Sequence, residues 1–288
     1  MGRLTERTPV TRIAFTDDGG ISTRRRADTV VVEEPLEVRV SGEPLVVTMR
    51  TPGHDLELAA GFLTGEGVIA AGSDVRSAIH CGGPGSTPVG APQSENTYNV
   101  LDMAPAPGSE IPAKDAARNF YTTSSCGVCG AASIEQITKV SRFDLSADDS
   151  RAPARWLASL PDTLRRGQAL FEKTGGLHAA ALFDIATGEL LVLREDVGRH
   201  NAVDKVVGWA LLADRLPLAG TVLQVSGRAS FELAQKAIMA GIPVLAAVSA
   251  PSSLAVELSP SMHLTPVGFS PRASLDVYAH PDRVSGEG

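Results

Sequence analysis

The sequence is short of cysteine, of aromatic residues and of long apolar runs, and two of these shortages each remove a class of protein. Three cysteines in 288 residues, an odd number, cannot supply the paired framework of a small secreted fold. No uninterrupted apolar stretch approaches the ~18 residues that a membrane-spanning helix needs. Met1 to Val10 is polar and charged where a secretory signal would be apolar. Positive charge is also scarce: 26 Lys+Arg stand against 33 Asp+Glu, a net −7, so the field of the whole molecule repels nucleic acid and anionic membrane surfaces. The expectation is a cytoplasmic protein, with no nucleic-acid or membrane partner, whose thiols stay reduced. What is present, 43% hydrophobic and 20% charged residues, suffices for one large core or two modest ones.

Residues 1–29, with the run Arg24, Arg25, Arg26, lack apolar periodicity and read as a flexible or edge-packed arm. Residues 30–50 hold two strand-like runs around the turn-prone Ser41-Gly42-Glu43-Pro44, a hairpin by composition. Residues 51–67 place Leu56, Ala59, Ala60 and Leu63 at helical spacing behind Thr51 as a cap. Extended pieces at 74–80 and 95–102 flank the Gly/Pro/Ser-rich loop 81–93, and a second such stretch covers 104–112. These loops set the expected division into a smaller α+β subdomain at 30–112 and a larger α/β subdomain at 113–285. In the latter, 152–173 reads as a helix, "LHAAALFD" and "ELLVLRED" as a hairpin, and 200–214 as an amphipathic helix with Val203, Val206, Val207, Ala210 and Leu211 on one face.

The last third repeats one form. "TVLQVSGRASFELAQKAIMAG" and "PVLAAVSAPSSLAVEL" each run from a continuous apolar stretch through Val-Ser and small residues into a helix. Apolar runs without alternation, each feeding a helix, mark parallel strands buried on both faces, with both Val-Ser ends on one edge of the sheet. The expected architecture is therefore a three-layer α/β sandwich with a mixed sheet. Ligands gather at the carboxyl ends of such strands, which here carry Ser226, Gly227, Arg228, Ser230, Ser249, Ser252 and Ser253. Ser230 and Ser252 or Ser253 read equally well as ordinary N-caps; Arg228 does not, since capping has no use for it. "REDVGRHNAVDK", residues 194–205, adds Arg194, Arg199, His200 and Asn201 between a strand and a helix. That donor set is richer than a turn requires and favours anion binding over a salt-bridged surface turn. His178, in "TGGLHAA", is a secondary candidate.

Cys126 and Cys129, in "TTSSCGVCG", form a C-x-x-C pair, and Cys81 reads as a buried structural thiol. A structural zinc site would need further ligands, for which only Cys81 and His80 stand ready. A zinc deaminase would need H-x-E before P-C-x-x-C, and neither the proline nor any H-x-E occurs. No metal is therefore expected. A dithiol oxidoreductase remains open, as does a nucleotide-binding regulatory module without chemistry. A sulfur carrier also remains open, needing a nucleophilic thiolate on a loose backbone, which Gly127 and Gly130 supply.

Six stretches in unbroken order, "FYTTSSCGVCG", "TGGLHAAAL", "REDVGRHNAVDKVVG", "VSGRASFELAQKA", "AVSAPSSLAVELS" and "LTPVGFSPRASLDVYAHPDRV", resemble the FdhD family, whose members carry sulfur for formate dehydrogenase. The resemblance implies a cytidine deaminase-like fold without its zinc machinery. It implies a sulfurtransferase that takes persulfide sulfur from a cysteine desulfurase onto Cys126, with Cys129 as partner thiol. The acceptor it implies is the bis(molybdopterin guanine dinucleotide) form of the molybdenum cofactor, on its way to formate dehydrogenase. It places the cofactor-binding stretch on Phe269, Ser270, Pro271, Arg272, Ala273 and Ser274, makes the Ser- and Arg-rich edge a cradle for guanine arms that a GDP-like nucleotide could also occupy, and implies a homodimer whose interface it leaves open. A polyanionic acceptor on a chain of net −7 requires a local cationic site, expected from Arg194, Arg199, Arg228, Lys236 and Arg272.

Overall fold

The computed structural model describes residues 3–81, 99–107, 141–270 and 274–286. Residues 5–31 cover most of the stretch read as a flexible or edge-packed arm. β1 (Thr5–Phe15) and β2 (Ile21–Val31) form a two-stranded antiparallel ribbon, mostly exposed on both faces. Period-2 alternation is absent from the sequence because neither face of the ribbon meets the core.

β3 (Glu34–Val40), β4 (Glu43–Arg50), β5 (Val75–His80) and β6 (Val100–Pro105) build a four-stranded sheet in the order β4-β3-β6-β5. Its inner face, Leu36, Val38, Val40, Leu101 and Met103, packs against Leu58, Ala59 and Leu63 of α1 (Asp55–Gly65). The expected Thr51 cap of α1 does not form, and His54 at φ 57° occupies the cap position instead. Thr51 is engaged elsewhere, as described below.

The helix expected at 152–173 is two. After the short strand β7 (Ala152–Pro153), α2 (Ala154–Gly167) ends at a close approach, where a Cβ on Gly167 would lie 2.6 Å from Leu193 Cδ1. The carboxylate of Glu195 then accepts from the Leu170 and Phe171 amides and opens α3 (Ala169–Thr174).

β8 (His178–Asp184), β9 (Leu190–Asp196), β10 (Thr221–Arg228), β11 (Val244–Ser249), β12 (Thr265–Ser270) and β13 (Ser274–Val277) form one mixed sheet in the order β13-β12-β11-β10-β8-β9. The three strands β10, β11 and β12 run parallel, as the repeated strand-to-helix form implies for the first two. Ala180, Leu182, Leu223, Val225, Leu245 and Ala247 face α4 (Arg199–Leu212) and α5 (Phe231–Met239), with α6 (Ser253–Ser261) beside them. Ala179, Ala181, Phe183, Val222, Val244 and Ala246 face Leu157, Leu160 and Leu164 of α2. Both faces are covered, so the apolar runs are continuous. A last short strand, β14 (Val284–Ser285), pairs with β7.

The two sheets are joined by α1 against α4. A Cβ on Gly61 would stand 1.8 Å from the Asp204 carbonyl oxygen, and one on Gly208 would stand 1.8 Å from the Glu57 carbonyl oxygen. The helices therefore meet backbone to backbone. This corrects the amphipathic reading of 200–214: Val203 and Val206 face the six-stranded core, but Asp204, Lys205 and Gly208 are buried too, because α1 covers the other side. No helix among the described residues is long and apolar enough to cross a membrane.

Candidate functional site

The carboxyl ends of β9, β10, β11 and β12 and the start of antiparallel β8 come to one edge of the large sheet. Most of the residues selected from sequence lie there. Ser226 Oγ accepts from the Ala179 amide at 2.9 Å and stands 3.5 Å from His178 Nδ1. His178 is half-buried, and burial, with the nearby charges of Arg199 and His200, lowers its pKa, so the ring is held neutral. Gly227 follows; a Cβ there would make only ordinary contact with the His178 ring, 3.7 Å away. Arg228 is exposed at the end of β10, opposite the exposed Ser249 of β11. The Phe269 ring packs into the α2 side of the core, and Ser270 pairs across the strand ladder with Ser274. Pro271, Arg272 and Ala273, like Cys126 and Cys129, lie outside the described residues.

Three helices open at this edge. α4 begins with Arg199 and His200 and has no acidic residue in its first turn. Positive charge at the positive end of a helix dipole is unfavourable unless an anion joins it. The Nε of Arg199 is moreover buried without a hydrogen-bond partner. α5 begins after Ser230, whose hydroxyl does not cap the helix and is buried with no well-formed hydrogen bond. His200 Nε2 lies 3.9 Å from Glu232 Oε2 in the first turn of α5, and with its help the Glu232 carboxyl stays below the ordinary carboxylate range. Ser252, by contrast, is an ordinary cap: its Oγ accepts from the Ala255 amide of α6 at 3.3 Å.

The rest of "REDVGRHNAVDK" does other work. Arg194 donates two hydrogen bonds to Glu57 of α1, at 2.5 and 2.7 Å. Burial raises the pKa of Glu57, but Arg194 and His54 outweigh it and bring the carboxyl to about 2. Asp196 is fully buried. It pairs with Lys205 Nζ at 2.6 Å and accepts from the amides of Thr51 and Gly198 and from Asn201 Nδ2. Asn201 also donates to the Met49 carbonyl at 2.7 Å, Lys205 donates to the Thr51 carbonyl at 3.0 Å, and Thr51 Oγ1 accepts from the Val197 amide. Lys236 pairs with buried Asp204 at 2.6 Å. Of the five cations expected to form one basic site, Arg194 and Lys236 thus sit in the seam between the sheets, already neutralised, and Asn201 sits there with them. Arg199 and Arg228 remain at the edge.

Four contributors escaped the sequence reading. Glu232 partners His200; a lone Glu one residue into a helix gives no signal of that. Gln224 lies fully buried in β10, donating from Nε2 to the Val225 carbonyl with its Oε1 unpartnered, and a polar residue inside the apolar run "TVLQV" was the visible sign. Gly61 and Gly208, inside helices, were the sign of the close crossing.

The model of the FdhD/NarQ family matches residues 31–285. The chain is 55% identical to a protein named Sulfur carrier protein FdhD from Streptomyces avermitilis, over 99% of this chain and 97% of that one. It is 56% identical to a protein of the same name from Mycobacterium tuberculosis, over 90% of this chain and 93% of that one. Its fold is similar to the crystal structure of a protein described as a formate dehydrogenase accessory protein from Desulfotalea psychrophila, with a TM-score of 0.69 over 97% and 99% of the two chains; at 22% identity this is a likeness of fold. A family model that spans most of the sequence, with relatives of this identity over nearly all of it, settles the kinship: the chain belongs to the FdhD/NarQ family.

Proposed function

We propose that this chain is a cytoplasmic sulfur carrier that serves formate dehydrogenase, loading sulfur on Cys126 and handing it to a molybdenum cofactor held at the carboxyl edge. The observation that carries the binding half is Arg199, a cation at a helix N-terminus with a buried, unpartnered Nε. Beside it stand the open start of α5 and the exposed Arg228. These donors fit an anionic substrate: phosphate oxygens would satisfy Arg199 and relieve its conflict with the α4 dipole. The bis(molybdopterin guanine dinucleotide) substrate offers such oxygens on both guanine arms, and a GDP-like nucleotide offers them alone. The names of the relatives support the sulfur half.

In this reading the Cys126 thiolate attacks the terminal sulfur of a cysteine desulfurase persulfide, the donor's S–S bond breaks, and the donor leaves as thiolate. The sulfane sulfur then resides on Cys126. Attack of the Cys129 thiolate on Cys126 Sγ would release it as hydrosulfide and leave a disulfide, so the electrons balance within the thiol pair. Neutral His178 is able to accept a proton at Nδ1 or Nε2 as charge moves at the edge. The six-stranded sheet is, on the same reading, a cytidine deaminase-like layer that works without zinc.

Intact-mass spectrometry after incubation with a cysteine desulfurase and cysteine tests this. A reducible gain of one sulfur atom, lost in Cys126→Ala, supports the carrier. No gain in any form overturns it, and reduction of unrelated disulfides would mark a dithiol oxidoreductase instead.

A further inference from the structure

The donors at the carboxyl edge answer the phosphates of a nucleotide, but its flat heterocycle needs a different seat. A base is held best against the face of an aromatic ring that is open to solvent yet fixed in place. Among the described residues only two Phe, Tyr or Trp side chains are exposed, Phe15 at 83% and Tyr278 at 36%. Phe15 ends β1, in the two-stranded ribbon. Tyr278 belongs to the large sheet.

Tyr278 directly follows β13, and its amide donates to the Pro266 carbonyl of β12 at 3.0 Å. Pairing sets Gly268 of β12 between Ala247 of β11 and Asp276 of β13. Side chains alternate along a strand, so Ser249 shares the face of Ala247, and Tyr278 that of Asp276. All four therefore lie on one face of the sheet. At the centre of this group Gly268 has no side chain: a Cβ there would lie 3.2 Å from Tyr278 Cε2, and 3.5 Å from both Ala250 Cα and Pro251 Cδ. The Tyr278 ring thus stands against bare strand backbone, beside the turn that leads from β11 into α6. Ser249 and Ala250 in that turn are exposed, and Arg228 of β10 pairs in register with Ser249. From Gly268 to β10 is two strand spacings, about 10 Å, a span that one extended nucleoside diphosphate covers.

We propose that Tyr278 is the stacking platform for the base of a guanine nucleotide whose phosphates lie at Arg228 and Ser249, with Gly268 and Pro251 fixing the ring. The inference rests on the anion-binding reading of the edge and adds the residue that holds the heterocycle. Stacking tolerates any base, because every base has a π-face. Tyr278 therefore sets how tightly the heterocycle is held, not which purine is chosen.

Calorimetry on the full chain with two probes, GDP and inorganic pyrophosphate, provides the test. Wild type should bind GDP more tightly than pyrophosphate. Tyr278→Leu keeps an apolar side chain against Gly268 but removes the ring; it should weaken GDP about 10-fold and leave pyrophosphate affinity unchanged. Tyr278→Phe, which keeps the ring, should bind GDP as wild type does. Equal loss of both probes in Tyr278→Leu would mark a structural role and overturn the platform. So would a Tyr278→Leu chain that binds GDP like wild type, or a wild type that binds GDP no better than pyrophosphate; in both cases the anion site stands. A wild type that binds neither probe overturns the reading of the edge itself, and the platform with it.

Discussion

The seam and the carboxyl edge draw on the same residue types, and several members of both come from the same twelve residues, yet they end in opposite states. In the seam, Asp196 collects Lys205, Asn201, Gly198 and Thr51, and Asp204 collects Lys236, so each buried charge meets an opposite one. At the edge, Arg199 Nε and Ser230 Oγ are buried without good partners, and Arg228 is open to solvent. Buried polar groups are nearly always satisfied. The satisfied cluster is therefore explained by folding alone, whereas the unsatisfied one fits the anionic substrate proposed for the edge. A dense run of charged residues does not by itself tell these two apart.

The sharpest break in that comparison comes at the crossing of α1 and α4. Gly208→Ala would drive a methyl group into the Glu57 carbonyl oxygen, 1.8 Å away, with no flexible side chain to yield. Both helices must separate, opening the seam with them. The expected loss is about 3 kcal/mol or more, the upper part of the overpacking range, read as the urea midpoint or as loss of soluble protein. Unchanged stability would mean that the helices do not meet at this glycine.

Slightly smaller is Lys205→Met, which leaves Asp196 buried and unpaired. Removing one partner of a buried pair typically costs about 3–5 kcal/mol, and the three neutral donors around Asp196 place this one near the lower end. Adding Asp196→Asn should recover part of the loss, since the stranded charge goes too. If the double variant is no more stable than Lys205→Met, the pair is not what holds the seam.

The edge should respond in the reverse manner. Arg199→Ala and Arg228→Ala are expected to change unfolding free energy by no more than about 0.5 kcal/mol, while weakening GDP binding, measured by calorimetry, by roughly 10-fold or more each. Arg194→Ala should do the opposite. It strands Glu57 and costs stability, about 1–2 kcal/mol for a part-exposed charged pair, with nucleotide affinity unchanged. Equal effects of Arg194 and Arg199 on affinity would erase the distinction between seam and edge.

How much of this could be read in advance follows from the range of the forces involved. The parallel strands β10 and β11 and the β8–β9 hairpin were legible because their apolar runs and turn residues act within a few positions of themselves. The edge was legible as a place, since strand direction fixes where Ser226, Arg228 and Ser249 emerge. What stayed hidden depended on partners far away in the chain. Arg194 looks free until Glu57, 137 positions earlier, is folded onto it. Thr51 looks like a helix cap until Val197 and Asp196 claim it, 146 and 145 positions away. The ribbon at 5–31 was illegible for another reason: its strands face water on both sides, so no burial pattern is written into them.

The smallest expected effect separates the regions by pH. Glu57 at the seam has its carboxyl held at about 2 instead of the ordinary 4.5, so the unfolded chain binds more protons between those values. Its contribution to stability is complete above about pH 4.5 and is lost as pH falls toward 2. His178 at the edge has a lowered pKa, chiefly through burial, so below the ordinary 6.5 the unfolded chain again takes up a proton first. Stability should therefore slope downward with acidification from pH 6.5, well before Glu57 begins to titrate. His178→Gln should flatten the slope just below pH 6.5 and leave the acid limb in place; Glu57→Gln should do the converse. Because Ser226 lies 3.5 Å from His178 and Arg199 helps keep the ring neutral, a bound anion that pairs with Arg199 should raise the His178 pKa and shift its slope toward neutral pH. Chemical-shift titration of the His178 ring with and without GDP measures that directly, and a ring pKa indifferent to nucleotide would place the anion away from Arg199.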